Sequence, residues 1–111
     1  MLEMHELTRG EVIVVMPHGR IDTTTAPAFH GTVARLTTQA HRVIVDFTDI
    51  QYVSSAGLRE FLLLAKGLQG KGGKLALCAM SASVRQVFDV SGFSRIFKIV
   101  HDQDGALQAL A

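Results

Sequence analysis

The sequence predicts an α/β domain, a mixed and mostly parallel sheet of about five strands packed with about four helices. Three observations carry that expectation. Apolar runs within residues 11–16, 42–47 and 74–80 read as strands, and the first, a continuous β-branched run, suits a strand buried on both faces. The segments between and after them repeat apolar residues at helical spacing. Only the first two strands are joined by a turn short enough for a hairpin, so the later strands need crossovers and run parallel.

Residues 2–7 read as a short first strand, and Thr8-Arg9-Gly10 as the turn after it. The second strand covers residues 11–16, with Pro17 marking its end or a bulge. Thr25 is placed to N-cap the first helix, with Ala26 and Pro27 in its first turn. Phe29, Val33 and Leu36 then share one face of a helix reaching about Gln39. Residues 42–47 form the third strand, with Asp46 at its C-terminal side. Tyr52-Val53-Ser54-Ser55-Ala56-Gly57 reads as a turn into a second helix, whose inward face holds Leu58, Phe61, Leu62, Ala65 and Leu68. Gly70 and the Gly72-Gly73 pair end it. Residues 74–80 make the fourth strand. Ser81 caps a third helix, with Val84, Val87 and Phe88 inward and Gly92 as its stop. A short strand at residues 97–100 and a helix at 102–110 complete the chain.

At 111 residues the chain is expected to form one domain, residues 1–111. With 48% hydrophobic and 19% charged residues it should fold rather than stay disordered. A formal charge of +1 with scattered basic residues gives no nucleic-acid footprint, and Lys66, Lys71 and Lys74 read as a solvated helix end. The lone Cys78 sits in an apolar run, so a buried, inert thiol and a reducing, cytoplasmic setting are expected. Residues 1–6 lack the pattern of a signal peptide, and no apolar run is long enough to span a bilayer.

In parallel sheets, sites gather at the carboxyl ends of the strands, where Asp22, Asp46 and Ser55 fall in this reading. Ser54 and Ser55 stand next to the first turn of a long helix, whose backbone N–H groups lack intrahelical partners. A serine such as Ser55 can cap those groups or carry a phosphate that the helix dipole favours. Val53 stands where a hydrolase elbow needs its first glycine. His5, His18, His30, His41 and His101 show no metal-ligand spacing, so no metal or cofactor is expected. The loop at residues 70–74 lacks the phosphate-binding P-loop pattern. Asp22 and Asp46 are either paired acids or strand-end residues accepting backbone hydrogen bonds. No enzymatic activity is expected.

Taken together, five segments in order resemble the STAS domain family, in particular bacterial anti-sigma factor antagonists. They are Gly19-Arg20-Ile21-Asp22 with Thr25-Ala26, then Val43-Ile44-Val45-Asp46, then Tyr52 to Leu58. Gly72-Gly73-Lys74-Leu75 and the stretch from Val84 to Phe93 follow. The resemblance covers about residues 4–110. It implies a phospho-switchable binding module that regulates transcription. Such a module holds an anti-sigma factor serine kinase while unphosphorylated, releases it once phosphorylated on serine, and is reset by a serine phosphatase. The family motif often reads Asp-Ser-Ser/Thr-Gly-Leu. By position Ser55 matches the acceptor serine, Ser54 the Asp before it, and Ala56 the Ser/Thr after it. The departure at Ser54 makes it a second candidate acceptor. Asp22 matches a family acid near the acceptor, so Asp22, Ser54, Ser55, Ala56 and Gly57 are expected at the partner face. Helical geometry adds Arg59 and Leu63, with Lys66 further along. A STAS subunit without a switch, fixed in a bacterial lipid-transport ABC ATPase complex, is the alternative.

Overall fold

A computed structural model describes residues 2–111. Strands β1 (Glu3–Arg9) and β2 (Val12–Ile21) are followed in chain order by helix α1 (Ala26–Gln39), strands β3 (Arg42–Asp46) and β4 (Ile50–Val53), helix α2 (Ser55–Gln69), strand β5 (Lys74–Cys78), helix α3 (Ala82–Val90), strand β6 (Lys98–Val100) and helix α4 (Gln103–Leu110). Strands β1, β2, β3, β5 and β6 lie side by side in that order, and β4 pairs with β2. β1 is antiparallel to β2, and the other pairings are parallel. The expected mixed, mostly parallel sheet with four helices is therefore present, with six strands rather than five.

The additional strand is β4, which lies where the sequence suggested only a turn. Its partner is the far half of β2, which does not stop at Pro17 but runs on to Ile21. β2 pairs with β3 over Val12–Val15 and with β4 from Gly19 onward, so Pro17 falls in the interval without a parallel partner. A missing N–H breaks no parallel ladder there. The irregularity expected at Pro17 occurs two residues later, as a register shift between Gly19 and Arg20. Gly19 adopts φ +115°, a region open mainly to glycine. The bulge also explains why β4 escapes a period-two reading: Gln51 and Tyr52 are both exposed, between buried Ile50 and Val53.

The strands place alternate residues in two separate cores. Val15, Val43, Val45 and Leu77 face α1, α2 and α3, together with Phe29, Phe61 and Phe88. Val14, Ile44, Ala76 and Cys78 face the opposite side, against Ala106 and Leu110 of α4. A run of aromatic contacts, Phe29–Phe61 and Phe61–Phe47 at 5.1 Å and Phe47–Phe88 at 5.8 Å, fixes α1, α2 and α3 on the end of β3. Along α2 the buried apolar side chains are Leu58, Phe61, Leu64 and Leu68, while Leu62 and Ala65 of the expected face are only half-buried. A 3-10 turn at Phe93–Arg95 precedes β6, which begins one residue later than the sequence suggested. Asp46 is nearly buried at the end of β3. One carboxylate oxygen accepts from the Thr48 backbone N–H and hydroxyl, and the other from Gln103 Nε2 at 2.7 Å, tying α4 to the sheet. Among the described residues no helix is long and apolar enough to cross a membrane.

Gly57 fixes how closely α2 approaches the sheet. A Cβ there would lie 2.7 Å from the Ile21 carbonyl oxygen and 2.9 Å from both Ile21 Cγ2 and Val53 Cγ1. Gly57→Ala should therefore destabilise the fold by about 1–3 kcal/mol through overpacking, although alanine is the better helix former. Gly31→Ala on α1 has nothing within 4 Å of the new Cβ. It should stabilise by about 0.5–1 kcal/mol. Urea midpoints at unchanged m-value would report both, and equal effects would contradict the close approach.

The Cys78 thiol has no exposed surface, and burial, then the charges of Asp46 and Asp102, push its pKa up to about 12. A raised folded-state pKa gives a stability contribution that is complete below the unfolded-state value near 9 and is lost as pH rises towards 12. Urea unfolding at pH 8 and pH 10.5 should show the stability advantage of wild type over Cys78→Ala shrinking at the higher pH. A constant difference would contradict it.

Candidate functional site

The two serines divide the work at the start of α2. Ser54 is the N-cap, in extended conformation, and its Oγ accepts from the Gly57 backbone N–H at 3.3 Å. Ser55, which the sequence suggested as a cap, is instead the first helical residue and is exposed. Its hydroxyl is not used for the cap.

Backbone geometry sets this arrangement. The Ser54 N–H donates to the Ile21 carbonyl at 2.9 Å, extending the β2–β4 ladder by one bond. That same carbonyl lies under Gly57. The ends of β2 and β4 and the first turn of α2 thus meet at one corner, on the carboxyl side of the strands.

Asp22 follows Ile21 at this corner and is half-buried. Its Oδ1 accepts from the Thr24 hydroxyl at 2.7 Å and the Thr24 backbone N–H at 3.0 Å, while Arg20 Nε lies 3.6 Å from Oδ2. The Thr24 hydroxyl, then the Thr24 and Thr25 backbone N–H groups and Arg20, hold the carboxyl below its usual range against a smaller desolvation effect. Asp22 is therefore a turn-ordering carboxylate that keeps its charge. Thr25 occupies the N-cap position of α1 as the sequence suggested, but its hydroxyl makes no capping bond. It donates to the Arg20 carbonyl at 2.7 Å and accepts from the Asp22 N–H at 2.9 Å, closing the turn instead.

Two grooves flank the exposed side of α2. One, of about 440 Å³, runs between the start of α2 and α3, with Ser54 and Ser55 beside Tyr52, Leu58, Val87 and Val90. The other, of about 480 Å³, lies between α1 and α2 and takes in Ala56, Arg59 and Leu63, together with His30 and Glu60. Of the expected partner-face residues, Ser55, Arg59 and Leu63 are exposed, Asp22, Ser54 and Ala56 are half-buried, and Gly57 is buried. Gly57 acts through the position it gives its neighbours.

The apolar wall contributed by β4 and α3 was not found from sequence. Val90 is 80% exposed and Tyr52 40%, and the Arg20 guanidinium carbon stacks 4.4 Å from the Tyr52 ring centre. The available signal was Val90 itself, an apolar residue off the inward face of α3 just before its end. Among the described residues no group of three or more His, Cys, Asp or Glu is placed to hold a metal.

The chain is similar to known proteins to different degrees. BtrV of Bordetella bronchiseptica, provisionally assigned as an anti-sigma factor antagonist, is 44% identical over 68 residues. The match spans 61% of this chain and 59% of that protein. The crystal structure of an anti-sigma factor antagonist from Mycobacterium paratuberculosis superposes with a TM-score of 0.91 at 22% identity, covering 99% of this chain and 94% of that one. The Bacillus cell fate determinant SpoIIAA in its phosphorylated form superposes with a TM-score of 0.71 at 19% identity, covering 98% and 99%. At such identities the two structures show a shared fold. The family model for the STAS domain matches residues 5–106, and the chain belongs to the STAS domain family.

Proposed function

We propose that this chain is an anti-sigma factor antagonist, a non-enzymatic binding module whose partner is an anti-sigma factor with serine kinase activity. The neutral form binds that kinase, and phosphorylation of Ser55 ends binding. A serine phosphatase restores the neutral form. The observation that carries this reading is the division between the serines, with Ser54 holding the cap and Ser55 exposed beside it on a groove. The names of the relatives supply the class of partner.

The switch needs no refolding. A phosphate on the first residue of a helix sits where the dipole favours negative charge, so α2 persists. The partner instead meets roughly −1.5 to −2 new charges at a surface that had offered a hydroxyl. Covering that group requires its desolvation, and every 1.4 kcal/mol or so lost lowers affinity about tenfold.

Incubation with the partner kinase and ATP should place one phosphate on Ser55, as read by mass spectrometry of the intact chain and its peptides. Ser55→Asp should bind the kinase at least tenfold more weakly than wild type. Phosphate found only elsewhere, or undiminished binding by Ser55→Asp, would overturn the assignment. Co-purification with an ABC-type ATPase, indifferent to Ser55→Asp, would instead support the fixed-subunit role. Ser54→Ala should lose about 1 kcal/mol of stability with its cap, measured by thermal unfolding, yet still accept phosphate on Ser55. Loss of acceptance by a folded Ser54→Ala protein would assign the acceptor role to Ser54.

A further inference from the structure

We propose that Arg59 is the internal clamp for a phosphate on Ser55, so that phosphorylation both charges the binding face and withdraws its exposed cation from the partner. The inference rests on the reading of Ser55 as the acceptor. It follows from spacing and from which nearby cations are already engaged.

Ser55 and Arg59 are four residues apart on α2, both exposed. Residues at that spacing are neighbours on a helix surface. In the neutral protein Arg59 lines the groove between α1 and α2, and because helical side chains lean towards the N-terminus its guanidinium can swing back to the turn that begins with Ser55. An anion on the N-terminal side of a cation four residues later is also the favoured order for such a pair. A phosphate offers acceptor oxygens to which the planar guanidinium can bind in bidentate fashion.

The other charged groups at this corner are committed. Arg20 stacks on Tyr52 and lies 3.6 Å from Asp22. Asp22 is held by Thr24, and Glu60 by His30 Nδ1 at 2.7 Å. The α3 residues lining the groove, Ser83, Gln86, Val87, Val90 and Ser91, carry no charge. Arg59 forms no ion pair among the described residues. In the neutral protein it is free to meet a partner carboxylate. In the phosphorylated protein the covalently attached dianion competes for it at high local concentration.

The test uses full-length protein with phosphoserine installed at position 55 during translation, so no kinase is required. Phosphorus NMR then follows the second ionisation of the phosphate. Arg59→Ala should raise its midpoint by roughly 0.15–0.4 pH unit, Arg59→Lys by less, and 0.5 M NaCl should shrink the difference. Lys66→Ala, about three turns from Ser55 along α2, should leave the midpoint unchanged. Equal midpoints in wild type and Arg59→Ala, or an equal rise in Lys66→Ala, would overturn the clamp. Neither result would alter the assignment of Ser55, which rests on where the kinase places phosphate.

Discussion

The arrangement of the proposed binding face depends on the carbonyl oxygen of Ile21. It accepts the Ser54 N–H at 2.9 Å and lies where a side chain on Gly57 would have to go. The first contact ends β4 on β2, and the second sets the height of α2 over the sheet. Leaving that carbonyl unpaired in a buried corner would cost about 1–3 kcal/mol. The two contacts confine three consecutive functions to three positions: Ser54 caps, Ser55 faces outward, and Gly57 packs. Moving the helix start by one residue would turn Ser55 away from the surface by about 100°.

The phosphate proposed for Ser55 would add charge there without disturbing the core. The apolar contacts of α2 begin at Leu58, which also lines the groove beside Ser55, and continue through Phe61, Leu64 and Leu68 on the side away from Ser55. The second core, under α4, is held by other groups. Gln103 bridges Asp46 and Arg9, whose guanidinium also pairs with Asp104 at 2.9 Å. The two faces of the sheet are thus stabilised by separate interactions, and the side chains that hold α4 are not among those lining the groove beside Ser55.

Much of this fold was legible in the sequence because buried parallel strands declare themselves as unbroken apolar runs. Residues 43–45 and 75–78 are such runs, and the helix between them carries regular apolar spacing. β4 was not legible, for a physical reason. The bulge within it, where Gln51 is the extra residue, breaks the alternation of buried and exposed residues, and its four residues precede a helix signal that dominates a local reading. Pro17 misled in a related way, since its cost depends on which strand lies alongside, and β2 changes partners there. At the site, the Ser54–Ser55 pair stood out by residue type and position. Which hydroxyl caps was not legible, because that turns on a one-residue difference in where the helix begins. The groove wall from Tyr52, Val87 and Val90 brings together β4 and α3, and such a juxtaposition is set by tertiary packing rather than by local pattern.

The central claim is that Ser55 changes the face of this domain while the corner beneath it stays as it is. Comparison of backbone amide spectra of the neutral protein and the protein phosphorylated at Ser55 tests this most directly. The account predicts shifts confined to residues around the start of α2, the Asp22 turn and the facing part of α3, with β1 and α4 unchanged. Shifts spread through β1 and α4, or loss of the Ser54 and Gly57 amide hydrogen bonds, would contradict it.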